Sequence, residues 1–227
     1  MDMTSTGPGL LTSAYFLAFG LFQLPLGLLL DRFGPRRVEA ALLLVAAVGS
    51  ALFALGTSLQ TLALARALIG LGVSACLMAS FKAFSQWFPK EHLPSLTATI
   101  MVAGGLGALS ASVPVAAALP FVGWRGVFWL VAALLVLAAG FLMTVPDHGA
   151  QAERETLGQQ IRSLGHIYGN RVFWRFAPQG CVIVGGFMAM QGLWAVPWLM
   201  EVDGATRGDA AGVLFLMSLA MLAGFLF

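Results

Sequence analysis

The chain has 227 residues, of which 59% are hydrophobic and only 10% are charged, and its formal net charge is +2 at pH 7. Soluble domains carry about 25% charged residues, so this chain has too few polar side chains to cover a water-facing surface. The composition excludes an ordinary water-soluble domain and predicts that the lipid bilayer is a partner of the chain.

Seven apolar stretches are long enough to cross a membrane, because a spanning helix needs about 20 mainly apolar residues. We predict helices over about residues 9–30, 39–58, 61–85, 94–119, 123–145, 174–200 and 209–227. A membrane β-barrel would instead show segments of about ten residues with alternating hydrophobicity, and no such alternation is visible. The predicted fold class is therefore all-α, a polytopic transmembrane helical bundle.

The first apolar stretch does not resemble a cleaved signal peptide, because its polar leader has no positive charge and the stretch is too long. The two cysteines, Cys76 and Cys181, both fall inside predicted spans. This placement favours buried thiols over a disulfide framework or a metal site, and we expect no metal and no other cofactor.

Basic residues predict the orientation of the chain, since connections rich in Lys and Arg stay in the cytoplasm. They cluster after the first, third and fifth predicted helices, for example at Arg36, Lys90 and Arg162. The first helix would then enter from the outside, with no preceding helix to carry the N-terminus there. The last helix would end at Phe227 without a polar flank. We therefore expect a chain truncated at both ends.

The interval 146–173 is the only long polar segment, and it predicts a cytoplasmic linker between two bundles. Residues 1–145 would form an N-terminal bundle of five helices, and 174–227 would begin a second bundle with two. Apolar residues recur at helical spacing within the linker, at Leu157, Ile161, Leu164 and Tyr168. This spacing indicates a short amphipathic helix at the membrane surface, with a solvated connector helix as the alternative.

The segment Gly27–Arg37 carries the most specific signal in the sequence, at the cytoplasmic end of the first predicted helix. Gly27 is predicted to let a neighbouring helix approach closely. Gly34 can adopt the left-handed conformation that ends a helix, and Pro35 prevents the helix from continuing. The chain should therefore turn sharply between the first two helices.

The same turn is charged, because Asp31 lies beside three basic side chains, those of Arg32, Arg36 and Arg37. Asp31 could pair with one of these arginines or accept hydrogen bonds from the N-terminus of another helix. A pair that forms and breaks at a tight turn is suited to a conformational latch. The alternative is that the arginines only anchor the chain to the membrane surface.

This segment resembles the signature loop of the major facilitator superfamily, in which Gly, three residues, Asp-Arg, one residue, Gly and basic residues join the second and third of twelve helices. The resemblance implies that a gating motif is formed by Gly27, Asp31, Arg32, Gly34, Arg36 and Arg37. It implies that Asp31 belongs to a charge relay whose usual counterpart, on a late helix, is absent from this chain. The seven predicted helices would be the family's second to eighth. The resemblance also implies a small-molecule solute and a bacterial plasma (inner) membrane location.

Arg66 lies inside the third predicted helix, where the run from Arg66 to Gly70 is similar to a fourth-helix pattern of the same family. An Arg within a span costs about 2.5 to 3.5 kcal/mol on insertion scales, so it should face a cavity or a partner. We predict that Arg66 binds substrate, which suggests an organic or phosphorylated anion. The alternative is a structural role, pairing with an acid or with carbonyl groups. Lys82, about 160° away around the helix, is predicted to snorkel toward the cytoplasm.

Two later segments carry weaker signals. Gly123–Gly126 resembles the turn by which many relatives enter their sixth helix, and Arg125 within it is predicted to be an interfacial anchor. Gln191 and Trp194 share a helix face in the sixth predicted helix and are predicted to bind substrate. The alternative for the tryptophans there is an interfacial belt.

Proton coupling usually needs an ionisable group within the bilayer, and we place no carboxylate inside a predicted span. Glu39 and the other acidic residues fall at predicted helix ends or in loops. If a proton or ion drives transport, the titrating acid is therefore expected outside this chain. The sequence does not distinguish symport, antiport and uniport.

Two other classes of membrane protein compete with a carrier. A seven-helix receptor or retinal protein matches the helix count, but a retinal pump needs a lysine in its last span, and 209–227 has none. A membrane enzyme would need a nucleophile elbow or a His-Glu-x-x-His pair, and neither occurs. We predict a secondary active transporter, not an enzyme, that rocks two bundles around a midplane site. Residues 1–227 alone are not expected to transport.

Overall fold

The computed structural model describes residues 6–146, 165–166 and 168–224, and every regular element within these ranges is a helix. The helices are α1 Thr6–Phe33, α2 Pro35–Leu55, α3 Leu59–Val73, α4 Cys76–Trp87, α5 Leu93–Ser110, α6 Val113–Thr144, α7 Arg171–Ala189, α8 Ala195–Glu201 and α9 Arg207–Gly224. A 3₁₀ turn, Lys90–His92, precedes α5, and a π-helical segment, Met190–Trp194, joins α7 to α8. The all-α prediction is confirmed. The predicted linker helix around Leu157 lies outside the described residues.

Six helical stretches in the described part of the chain are long and apolar enough to cross a membrane. They are Gly7–Phe33, Pro35–Leu55, Leu59–Trp87, Lys90–Ser110, Val113–Thr144 and Arg171–Glu201. The seventh predicted helix corresponds to a shorter apolar helix, Gly208–Gly224. The chain divides into two compact units, of which the first comprises Met1–Ile100 and Ala118–Arg154 and the second Met101–Ala117 and Glu155–Phe227.

In the first unit, α3 packs against both α1 and α2, and glycines allow the backbones to come close. A Cβ atom on Gly72 would lie 2.4 Å from the backbone nitrogen of Ala46, and one on Gly70 would lie 2.2 Å from the carbonyl oxygen of Tyr15. Small residues are common where membrane helices cross, because close packing rather than exclusion of water drives the association of these helices. Two clusters of buried residues fill these interfaces, one around Leu26 and one around Phe53.

The predicted helix 61–85 contains a break, since α3 ends at Val73 and α4 begins at Cys76. The Ser74 hydroxyl donates to the Leu71 carbonyl at 2.7 Å, and the Gln23 amide on α1 donates to the Ser74 carbonyl at 3.2 Å. Local side-chain bonds of this kind compete with the helical ladder. The break therefore fixes α1 against the middle of this span.

The predicted end of the fourth helix near residue 119 is wrong, because α5 ends at Ser110 and α6 already begins at Val113. In the intervening turn the Ser112 hydroxyl donates to the Leu109 carbonyl at 2.6 Å. The turn predicted at Gly123 is a kink inside α6, where Gly123 has φ 63° and ψ 170°. Only glycine tolerates this backbone conformation without strain.

In the second unit, side chains cap the N-termini of α7 and α9. The Asn170 side-chain oxygen accepts from the Val172 backbone nitrogen at 2.9 Å at the start of α7. Before α9, the Thr206 hydroxyl accepts from the Asp209 nitrogen at 3.2 Å and the Asp209 carboxylate accepts from the Thr206 nitrogen at 3.2 Å. This reciprocal arrangement is a capping box, with Asp in place of the usual Glu.

Candidate functional site

The turn between α1 and α2 is built by glycine and proline, as the sequence predicted. Gly34 has φ 79° and ψ 157°, and Pro35 occupies the first position of α2. The positive φ confirms that Gly34 is needed here, but its ψ is extended rather than left-handed helical. The prediction for Gly27 is wrong, because within the described residues no neighbouring helix has an atom within 4 Å of the position that a Cβ atom would occupy there. Gly27 therefore leaves open space on the surface of α1.

Asp31 forms an ion pair with Lys82, which joins the end of α1 to α4. The Asp31 side chain is 45% exposed and the Lys82 side chain 20%. The sequence prediction named arginines as partners for Asp31 and assigned Lys82 only to the membrane surface. It therefore missed a bond across 51 positions of the chain. Asp31 thus has a partner within this chain.

The pair borders a groove of about 420 Å³ between α1 and α4. The open side of Gly27 faces this groove, and polar groups of both helices reach it. Its polar lining consists of Gln23, Asp31, Lys82 and Ser85. The groove therefore combines a charged end with the gap that Gly27 leaves.

The three arginines of the motif occupy different surroundings. Arg36 donates from Nη2 to the carbonyl oxygen of Met143 at 2.7 Å, in the last turn of α6. Carbonyls at a helix C-terminus lack partners within the helix, and a cation there is stabilising. Arg32 lies over the ring of its neighbour Phe33, with its guanidinium carbon 5.4 Å from the ring centroid. Arg37 is exposed beside α6.

Glu39 was placed at a helix end by the sequence prediction, and this is wrong, because α2 begins four residues earlier at Pro35. Glu39 therefore lies in the second turn of α2, inside the candidate span Pro35–Leu55. Its Oε2 atom is buried and has no hydrogen-bond partner among the described residues. The start of α2 could have been found from Pro35, which favours the first position of a helix.

Arg66 lies among aromatic side chains of the first unit. Its guanidinium carbon is 5.0 Å from the ring centroid of Phe53 on α2 and 5.7 Å from that of Phe128 on α6. These distances are typical of cation–π contacts. Tyr15 of α1 lies near Arg66. Arg66 Nε is buried without a hydrogen-bond partner, so part of its donor capacity is unused.

Arg125 bonds to the far end of α2. Its Nε donates to the carbonyl oxygen of Ala54 at 3.0 Å, and its guanidinium carbon lies 4.3 Å from the ring centroid of Trp124. Trp124 in turn meets Phe53 edge to face. Arg125 therefore ties α6 to α2 next to the aromatic pair at Arg66, because Ala54 follows Phe53 and Arg125 lies three residues before Phe128.

Gln191 and Trp194 belong to the second unit, within the π-helical segment Met190–Trp194. The Gln191 amide donates to the Ser218 hydroxyl of α9 at 3.4 Å, whereas the Trp194 side chain is 65% exposed. Single π turns occur frequently at functional sites. No group of three metal-ligating side chains occurs among the residues that the structure describes.

Comparison with known proteins identifies relatives along the whole chain. The family model described as Major Facilitator Superfamily matches residues 1–227. A probable L-galactonate transporter of Escherichia coli is 26% identical, over 88% of this chain and 45% of that protein. A probable sulfoacetate transporter, SauU, of Cupriavidus necator is 24% identical, over 99% of this chain and 55% of that protein. A hexuronate transporter of Escherichia coli is 27% identical, over 73% of this chain and 42% of that protein. The chain spans about half the length of these curated relatives.

Proposed function

This chain belongs to the major facilitator superfamily, and from that premise we propose that the protein is a secondary transporter that carries a small organic anion across the membrane by alternating access. It is a multi-pass integral membrane protein, and its bacterial relatives point to the inner membrane. Family membership removes the seven-helix receptor or retinal protein as an alternative. The named relatives are all transporters, which supports a carrier rather than an enzyme.

The observation that carries the proposal is the position of Arg66. A guanidinium is always charged and presents five N–H donors, so it suits a carboxylate or sulfonate. Arg66 lies against the contacting rings of Phe53 and Phe128, and its Nε is buried without a hydrogen-bond partner among the described residues. No acidic side chain pairs with Arg66 within the part of the chain that the structure describes. This cation is therefore available to an anion that enters the first unit.

The relatives agree with an anionic solute. Galactonate and hexuronate, in the names of two relatives, are sugar acids, and sulfoacetate carries both a sulfonate and a carboxylate. These names describe those proteins and not this one. They nevertheless support the same solute class that Arg66 favours on physical grounds. In the second unit, Gln191 and Trp194 are proposed to contact the neutral part of the solute.

The gating motif supports alternating access. The ion pair between Asp31 and Lys82 joins α1 to α4, and Arg36 joins α2 to the end of α6. Both bonds involve groups that are partly exposed, so each can be exchanged for water at modest cost. We propose that these bonds stabilise one face of the transport cycle at the cytoplasmic side.

Uptake by proteoliposomes that contain the full-length protein tests the role of Arg66. With labelled hexuronate as the probe, R66A is expected to lower uptake by about 10- to 100-fold, because a charge-assisted hydrogen bond contributes about 1.5 to 3 kcal/mol. R66K should retain part of the activity. K90A, which removes an exposed charge from the 3₁₀ turn, is the matched control and should leave uptake unchanged. Unimpaired uptake by folded R66A would refute the assignment.

A further inference from the structure

Glu39 is a carboxylate inside a membrane span, and the proposed function gives it no role. It lies in the second turn of α2, one helical turn after Arg36, and faces α4. Intramembrane ionisable residues are costly and usually functional. We propose that Glu39 is a proton-binding site that exchanges its proton with the cytoplasmic side of the first unit.

The site has a cavity of its own. About 150 Å³ of space lies between α2, α4 and the end of α6, on the predicted cytoplasmic side. It is lined by Arg36, Glu39, Ser80, Phe84, Trp87 and Leu142, among others. A water needs about 10 to 15 Å³ of probe-occupied volume and two or more polar partners. This cavity is therefore large enough to hold several waters, which can carry a proton to the carboxylate.

Two polar atoms at this cavity have no hydrogen-bond partner. Glu39 Oε2 and Arg36 Nε are both buried, and each lacks a partner among the described residues. Buried polar groups are nearly always satisfied, and an exception calls for an explanation. A water that bridges the Arg36 N–H and the Glu39 oxygen would satisfy both atoms when Glu39 is ionised. When Glu39 is protonated, its O–H becomes a donor to the same water.

The ionisable groups near Glu39 come from α2 and α4, and the helix α6 contributes none at this end of α2. On α4 the Cys76 thiol lies near the carboxylate, and Lys82 on that helix is paired with Asp31. On α2 itself, Arg36 lines the cavity. The one ionisable side chain on α6 is Arg125, which is bonded to the Ala54 carbonyl. The Glu39 carboxylate therefore has one cation at its own cavity and no salt bridge among the described residues.

Proton binding at Glu39 changes the charge balance around Arg36. A proton from cytoplasmic water adds to Oε2, and the carboxylate becomes a neutral acid. Arg36 then loses its nearby counter-charge while its Nη2 remains bonded to the Met143 carbonyl. Protonation would thus change the electrostatic environment of the Arg36 contact between α2 and α6. Arg36 is itself a residue of the gating motif.

Infrared spectroscopy of the reconstituted protein tests this site without any transported solute, so its outcome is independent of the proposed function. As the pH is lowered from about 9 to about 5, a window that includes titrations of buried carboxyl groups, a C=O stretching band of a protonated carboxylic acid should appear. E39Q should lose that band, and E39D should keep it at a shifted frequency. E91Q, at an exposed carboxylate of the 3₁₀ turn, is the matched control and should keep it.

The result that would overturn the proposal is a spectrum of folded E39Q identical to that of the unchanged protein at every pH. Loss of the band in D31N but not in E39Q would also overturn it, because the titrating acid would then be Asp31. Size-exclusion chromatography of each variant in detergent establishes that it is folded before the spectra are compared.

Discussion

Removing the ion pair between Asp31 and Lys82 should uncouple the end of α1 from α4 by a measurable amount. At 4 Å and an effective dielectric constant of 20, two unit charges interact by about 4 kcal/mol. Asp31 is 45% exposed and Lys82 20%, so solvent screening reduces this value strongly, and exposed pairs give about 0.2 to 1 kcal/mol. We expect a coupling free energy of about 0.5 to 1 kcal/mol.

The position of Asp31 on α1 also favours pairing with a cation. It lies two residues before the last residue of α1, where the helix dipole is negative and disfavours a carboxylate. Lys82 offsets that repulsion. The charge exchange D31K/K82D places a cation at the end of α1 and keeps opposite signs, so it should recover part of the coupling.

A double-mutant cycle measures this quantity. D31N, K82Q and the double variant are compared by reversible unfolding in mixed micelles, and the coupling is the departure from additivity. D31N combined with K90Q is the matched control, since Lys90 is an exposed residue of the 3₁₀ turn. That control should be additive within about 0.3 to 0.5 kcal/mol. A coupling below about 0.3 kcal/mol for D31N and K82Q would refute the proposed bond.

Three further changes test the packing on which the site depends. G34A should destabilise the protein by about 1 to 3 kcal/mol, because Gly34 has a positive φ. G27A should change stability by under about 0.5 kcal/mol. Thermal unfolding compares the two variants, and equal effects would contradict the importance of the positive φ at Gly34. G72A should lower the free energy of unfolding by about 1 to 3 kcal/mol, because the new Cβ atom would lie 2.4 Å from the backbone of α2. The control in the same assay is G20A on α1, since a Cβ atom at Gly20 would have no neighbour within 4 Å among the described residues. R125A should lower the free energy of unfolding by about 1 to 3 kcal/mol by removing the bond to α2, and an unchanged midpoint would contradict that role.

The sequence predicted the spans and the turn after α1 because those features depend on local composition. Apolar runs give the spans, and the pair Gly34 and Pro35 gives the turn. Breaks within a span were harder to predict. Ser74 and Ser112 interrupt helices through bonds to nearby carbonyls, and serine elsewhere in the chain stays helical while making the same kind of bond, as Ser80 does.

The candidate site was predicted only in part, since its partners are distant in sequence. The sequence predicted the residues of a gating motif but not the partner of Asp31. Lys82 lies 51 positions after Asp31, and helix periodicity alone does not show which helices are neighbours. Glu39 was missed for a different reason. Its charge suggested that the second helix begins at Glu39, whereas the preceding Pro35 begins it one turn earlier and carries the carboxylate into the span.

The central claim is that the protein carries a small organic anion. Uptake of a labelled hexuronate and of the corresponding neutral hexose into proteoliposomes that contain the full-length protein tests this claim most directly. The account predicts saturable uptake of the hexuronate, inhibition of that uptake by other organic anions such as sulfoacetate, and no uptake of the hexose above protein-free vesicles. Equal uptake of the hexose, or hexuronate uptake that organic anions do not inhibit, would contradict it.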